Sequence, residues 1–158
     1  MSYDEWEATV PAVLKGDAVW RVQAFRLASY LARCAAEDAG ELAQDSRFAG
    51  QLGQLCRAAA SIGANIAEGY ARLSAADRVR FYEYALGSTT ECKSWYLSLT
   101  TAIGDETLTP RLELLASITR LLLTMIKSGR IMVSAPLREI KATHREQSLD
   151  SIFMTLAG

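Results

Sequence analysis

Apolar residues recur along most of this chain at steps of three and four, the spacing that gathers side chains on one side of an α-helix. The clearest series is Leu52, Leu55, Cys56, Ala59, Ile62, Gly63, Ile66, Ala67 and Tyr70. An earlier one, Trp20, Phe25, Leu27, Ala28, Leu31 and Cys34, predicts a first helix capped by Asp17 and running to about Glu41. The polar stretch EDAGELAQDSR separates it from a second helix, from about Phe48 to Tyr70. Ser74 followed by Asp77 has the form of a capping box with aspartate in the glutamate position. It opens a third helix to about Ile103, where Gly104 is placed to end it. Thr107 or Thr109 caps a fourth, with Pro110 in its first turn and Gly129 at its end. No strand period competes.

Four helices with short joins predict an all-α fold, an antiparallel up-down-up-down four-helix bundle over residues 17–128. An N-terminal extension, 1–16, precedes it, and a short helical C-terminal extension, 129–158, follows. In that last segment Ser134 caps PLREIKATHREQ, and Leu149, Ile152, Phe153 and Leu156 repeat the helical stripe. So short an amphipathic end is marginal alone in water, so it is expected to dock on the bundle or on a partner.

Composition narrows the class. Half of the 158 residues are apolar, enough for a folded core, and the net charge is −1, so no overall basic field draws the chain to nucleic acid. The charge is uneven: residues 1–46 hold 4 basic and 8 acidic residues, and residues 47–158 hold 13 and 10. An anionic partner would therefore favour the later helices. Cys34, Cys56 and Cys92 lie far apart on apolar helical patterns, and a single histidine cannot complete a common zinc set with them. They are expected to be reduced and buried, with no metal or cofactor. No apolar run approaches the ~18 residues that would suggest a membrane span, and the N-terminus lacks an apolar signal region. A cytoplasmic protein with no membrane partner is the expectation.

Beside its apolar stripe the second helix carries a polar one, Gln54, Arg57, Ser61, Asn65, Glu68 and Arg72, again at steps of three and four. The third offers Arg80, Tyr84, Gly87, Ser88 and Glu91. Arg57, Ser61, Asn65, Glu68, Ser88 and Glu91 are therefore expected to form a structural polar seam between helices or between subunits. On that reading Glu68→Ala would cost ~3 kcal/mol or more, the scale of a broken buried pair. Gly63, Gly69 and Gly87 each weaken a helix by ~1 kcal/mol and suit close backbone approach or a bend. Arg72, Arg78, Arg80 and Lys93 are the candidate phosphate-binding residues. Tyr82, Tyr84, Trp95 and Tyr96 could stack on bases, although their helical spacing favours packing.

SIGANIAEGYARLS followed by RFYEYALGSTTE resembles the four-helix-bundle family of 23S rRNA intervening-sequence proteins, which includes the accessory variability protein of diversity-generating retroelements. The N-I-A-E-G run, Asn65 to Gly69, and the G-S-x-x-E run, Gly87 to Glu91, carry the likeness over about residues 17–128. Gly63 stands where that family commonly has proline, and Leu86 where it often has arginine. The resemblance implies a homopentameric barrel and a non-enzymatic scaffold associated with RNA, DNA or a reverse transcriptase. A protein-interaction module that never touches nucleic acid is the alternative. Two catalytic readings stand behind these. Glu68 and Glu91 could form a catalytic carboxylate pair or a metal site, and Arg138 with His144 has the R-x5-H spacing of HEPN ribonucleases.

Overall fold

The computed structural model describes residues 1–134, and the expected features of the C-terminal extension from Ala135 onward lie outside the described residues. Six α-helices make up an all-α fold with no strand among those residues: α1 (Tyr3–Thr9), α2 (Ala12–Lys15), α3 (Gln23–Leu42), α4 (Ala49–Tyr70), α5 (Ala75–Ser98) and α6 (Asp105–Ser134). Two short 3-10 turns, Ala18–Arg21 and Ser46–Phe48, precede α3 and α4. The four long helices close a ring of neighbours: α3 packs on α4 and α6, and α5 packs on α4 and α6. Of the stripe predicted for α3, Ala28, Leu31 and Cys34 are buried, while Phe25 and Leu27 are partly covered and Trp20 lies in the preceding turn. Leu31, Leu55, Ile62, Ile66, Tyr82, Tyr96, Leu115, Ile118 and Leu122 are fully buried at the centre. Cys56, Ala67 and Tyr70, expected in the stripe of α4, lie at its margin and are only partly covered.

Several boundaries differ from the expectation, each for a local reason. Asp17 heads the 3-10 turn and makes no side-chain capping bond, and α3 begins only after Val22. The turn lets Trp20 pack against Trp6 and Phe25, with ring centroids 6.0 and 6.2 Å away. Ser74 does accept from the Asp77 N–H at 3.4 Å, but the Asp77 carboxylate pairs with Arg80 instead of closing the box. α5 stops at Ser98, and Leu99 and Ile103 bury themselves in the turn that follows. Gly104 does not end α5 in a left-handed conformation, since no described glycine has positive φ. Its carbonyl instead accepts from the N–H groups of Thr107 and Leu108, which opens α6 ahead of either threonine. Asp105 and Glu106 in that first turn favour the positive end of the helix dipole. Pro110 therefore lies inside α6, where the N–H it lacks leaves the Glu106 carbonyl without its usual helical partner. Gly129 is buried within α6, and the helix continues past it to Ser134.

The glycines separate into different cases. A Cβ at Gly69 would lie 2.8 Å from Tyr82 Cε1 and 3.0 Å from Phe81 Cβ, so α4 and α5 approach too closely there for any side chain. At Gly63 a Cβ would meet Ala28 and Ser29 at ordinary distances of 3.8 and 3.9 Å, and at Gly87 nothing lies within 4 Å. The close approach expected at three glycines thus exists at Gly69 alone within the subunit.

The segment 1–16 is helical and packed. Ser2 and Glu5 form a reciprocal capping box on α1. Trp6 is buried, and Tyr3 and Trp6 pack against Tyr30 of α3, edge-to-face and tilted, with ring centroids 5.5 and 5.4 Å away. The Tyr30 hydroxyl donates to the Met1 carbonyl at 2.7 Å.

Candidate nucleic-acid interface

The turn between α4 and α5 brings three of the four candidate phosphate-binding residues together. Arg72 leaves the end of α4 and lies over the Phe81 ring, 4.7 Å from its centroid. Arg80, one helical turn into α5, approaches the same ring at 5.6 Å. Arg78 folds back across the turn and donates from Nε and Nη2 to the Arg72 carbonyl at 3.3 and 2.9 Å. Tyr84 packs edge-on against Phe81 and is 52% exposed. Arg72 also pairs with Glu68 and Arg80 with Asp77, both at the surface. Lys93 is not part of this group. It lies 13 residues beyond Arg80, about 20 Å along α5, and donates to Thr119 Oγ1 of α6 at 3.0 Å.

The expected seam is placed differently from its prediction. Glu68 is half exposed and pairs with Arg72 of its own helix, not with an arginine of α5. Asn65 donates to the Ser61 carbonyl one turn back at 2.8 Å, and Glu91 accepts from Trp95 Nε1 one turn on at 3.2 Å. Arg57 is exposed and forms no ion pair with a described residue, while Ser61 and Ser88 are partly covered. The i, i+4 geometry that aligns these groups also lets them satisfy one another within a helix, so within the subunit no ion pair is needed across it. Of the aromatic candidates, Tyr82 and Tyr96 are buried and Trp95 is partly covered, which leaves Tyr84 accessible. Arg138 and His144 lie outside the described residues.

Sequence reasoning did not find the polar centre of the fold. Asp38 of α3 is 4% exposed and accepts two bonds from Arg111 of α6, Nε to Oδ2 and Nη2 to Oδ1, both at 2.9 Å. Tyr96 of α5 donates its hydroxyl to the same carboxylate at 2.8 Å. A bidentate guanidinium and a phenol thus satisfy one buried acid and join three helices. Burial and then the Asp38 charge hold the Tyr96 hydroxyl well above its ordinary pKa. Bonding to Asp38 raises that of Arg111 against desolvation. The sequence signal was available: Asp38 continues the buried register of Leu31, Cys34 and Ala35 by steps of three, four and seven.

All three cysteines are free; Cys34 and Cys92 are buried and Cys56 is partly covered. Burial pushes each thiol upward, that of Cys92 to about 12, so they are poor nucleophiles at neutral pH. Among the described residues no group of histidine, cysteine, aspartate or glutamate is placed to hold a metal ion. No described helix is long and apolar enough to cross a membrane.

Fold and site together define an all-α protein with a buried Asp38–Arg111–Tyr96 centre and a surface cluster of arginines at the α4–α5 turn. The family model described as 23S rRNA-intervening sequence protein matches residues 22–123, well over half of the chain, and the chain belongs to that family. It is also similar in structure to a protein of unknown function of the S23 ribosomal protein family from Bacteroides thetaiotaomicron VPI-5482. The TM-score is 0.63 at 25% identity, over 66% of this chain and 98% of that one. No curated protein matches the chain.

Proposed function

We propose that the protein is a non-catalytic, self-assembling helical scaffold that presents the α4–α5 turn to RNA or DNA. In this reading α3 to α6 run up-down-up-down as an antiparallel bundle, as their cyclic order of neighbours supports. The homopentamer and the association with a reverse-transcriptase complex belong to the same proposal and rest on the family resemblance. The observation that carries the nucleic-acid part is the placement of Arg72 and Arg80 over Phe81, with Arg78 bonded to the Arg72 carbonyl and Tyr84 exposed beside the ring. Surface ion pairs such as Arg72–Glu68 and Arg80–Asp77 are worth about 0–1 kcal/mol, so a phosphate can displace the carboxylates. An accessible tyrosine next to phosphate-binding arginines can take a base on its face.

Anisotropy titration of labelled single-stranded RNA and of duplex DNA at rising salt tests this reading. Binding should weaken steeply with salt and be lost in the triple variant Arg72→Ala, Arg78→Ala, Arg80→Ala. A second reading, an interaction module without nucleic acid, is favoured by Leu123 and Ile131 of α6, 51% and 56% exposed on one face beside Lys127 and Arg130. Absence of binding even at low salt would leave this second reading in place of the first.

A further inference from the structure

The N-terminal segment and the start of α3 line a half-open cavity that the proposed scaffold role does not use. It measures about 320 Å³, near the lower end of the range for small-ligand sites. Trp6 of α1, Trp20 of the 3-10 turn and Phe25 of α3 supply aromatic wall, and Asp17, Thr9 and Ser29 supply the polar side chains. Trp6 and Trp20 are inclined at 37° with centroids 6.0 Å apart, and Phe25 stands at 81° to Trp20. The three rings thus border the space at different inclinations.

The polar groups have one chemical sense. The Thr9 hydroxyl donates its proton to the Trp6 carbonyl at 2.7 Å, and that of Ser29 to the Phe25 carbonyl at 2.9 Å. Both hydroxyls therefore keep only acceptor capacity for a further partner. Asp17 heads the 3-10 turn without forming a side-chain cap, so its exposed carboxylate is not committed to the helix it starts. No lysine or arginine lines the cavity. Arg26, close behind, donates to the Trp20 carbonyl at 3.3 Å and faces Glu7 at 3.8 Å, so its charge is opposed locally. The surrounding segment 1–46 is itself acidic, with 8 acidic against 4 basic residues.

Aromatic faces, acceptor oxygens and one carboxylate all favour a positive charge carried on an apolar body. From this we propose that the cavity is a binding site for a small organic cation of the alkylated-ammonium class. The ammonium group lies against the faces of Trp6 and Trp20 and within the field of Asp17, and its alkyl substituents contact Val10, Pro11 and Leu14. Most of the wall precedes residue 22, where the family match begins, so the site is an addition to the family core.

The test uses the full chain and the indole N–H resonances of its three tryptophans. Choline is the probe, with its uncharged carbon isostere as the control, in which a carbon atom replaces the quaternary nitrogen. Choline should shift the Trp6 and Trp20 resonances saturably and leave Trp95, on α5, in place. The isostere should bind at least tenfold more weakly. Asp17→Asn should weaken choline binding several-fold, and because Asp17 is exposed and makes no capping bond, this variant keeps the fold. Trp20→Ala should abolish the response, with an unchanged circular dichroism spectrum as the check on folding. Equal binding of choline and its isostere would overturn the assignment in favour of a plain apolar cleft. No saturation with choline, or equal shifts at all three indoles, would overturn the site itself.

Discussion

At the scale of single residues, steric room and proton affinity make separate predictions. Gly69 sits where α4 meets Tyr82 and Phe81, so Gly69→Ala should destabilise the protein by about 1–3 kcal/mol, the usual cost of overpacking. Gly87 has open space around its Cα, so Gly87→Ala should stabilise it by up to about 1 kcal/mol through helix propensity alone. Thermal melts of the two variants should move in opposite directions, and a shared direction would contradict the packing described. Cys92 predicts a pH dependence. Its folded pKa, raised by burial from 9.0 to about 12, means that the folded state holds this proton more tightly than the unfolded chain does. The stabilisation is complete below about pH 9 and is lost as pH rises from there toward 12, on the order of a few kcal/mol in all. Urea unfolding between these limits should show a falling stability whose slope is flatter in Cys92→Ala, whatever offset the small cavity adds.

At the scale of helices, stability rests on Asp38 more than on the conspicuous glutamate of the family motif. Asp38 is held by Arg111 and Tyr96 from two other helices, whereas Glu68 pairs with Arg72 one turn away in water. Asp38→Ala leaves a guanidinium without its partner in a largely buried site and should cost about 3–5 kcal/mol. The double variant Asp38→Ala, Arg111→Met should recover part of this, because an apolar side chain does not need the missing carboxylate. Glu68→Ala should cost the folded subunit about 1 kcal/mol or less, as exposed pairs do. Denaturant midpoints of the three variants give the order, and a larger loss for Glu68→Ala than for Asp38→Ala would invert this account. The difference also shows what the sequence could convey. Periodicity carried the burial of Leu55, Ile62 and Ile66, because a helix face is a property of spacing alone. It also aligned Glu68 with Arg72, but alignment does not say whether a flank faces a neighbouring helix or solvent. Helix ends were less legible: Gly104 is a competent terminator of α5, yet it opens α6, because Leu99 and Ile103 already end α5 by burying themselves in the turn. The extension 1–16 was delimited but its helices were not legible, because α1 and α2 are too short for a repeat and aromatic packing on Tyr30 holds α1 in place.

For the whole molecule, copy number governs what the arginine turn can accomplish. The family match ends at residue 123, and the structural relative is covered almost entirely by 66% of this chain, so the shared part is the ring of long helices. Arg72 and Arg80 lie at the surface of that ring with Arg78 bonded to the Arg72 carbonyl, while Lys93 is tied to α6. One subunit can therefore neutralise at most three phosphates at this turn. Because each phosphate contact adds about 0.9 to the salt slope on duplex and about 0.7 on single strands, a monomer should show a slope no steeper than about −3. If the subunits assemble with these turns on a common face, several copies act on one nucleic acid and the slope must rise with the number engaged. The proposed pentamer thus predicts a slope clearly steeper than −3 together with a solution mass near five times 17.3 kDa. Light scattering and the salt titration, made on the same sample, give both values. A steep slope on a monomeric species would place the phosphate contacts outside Arg72, Arg78 and Arg80. A pentamer whose slope stays within the monomer limit would mean that its arginine turns do not share a face.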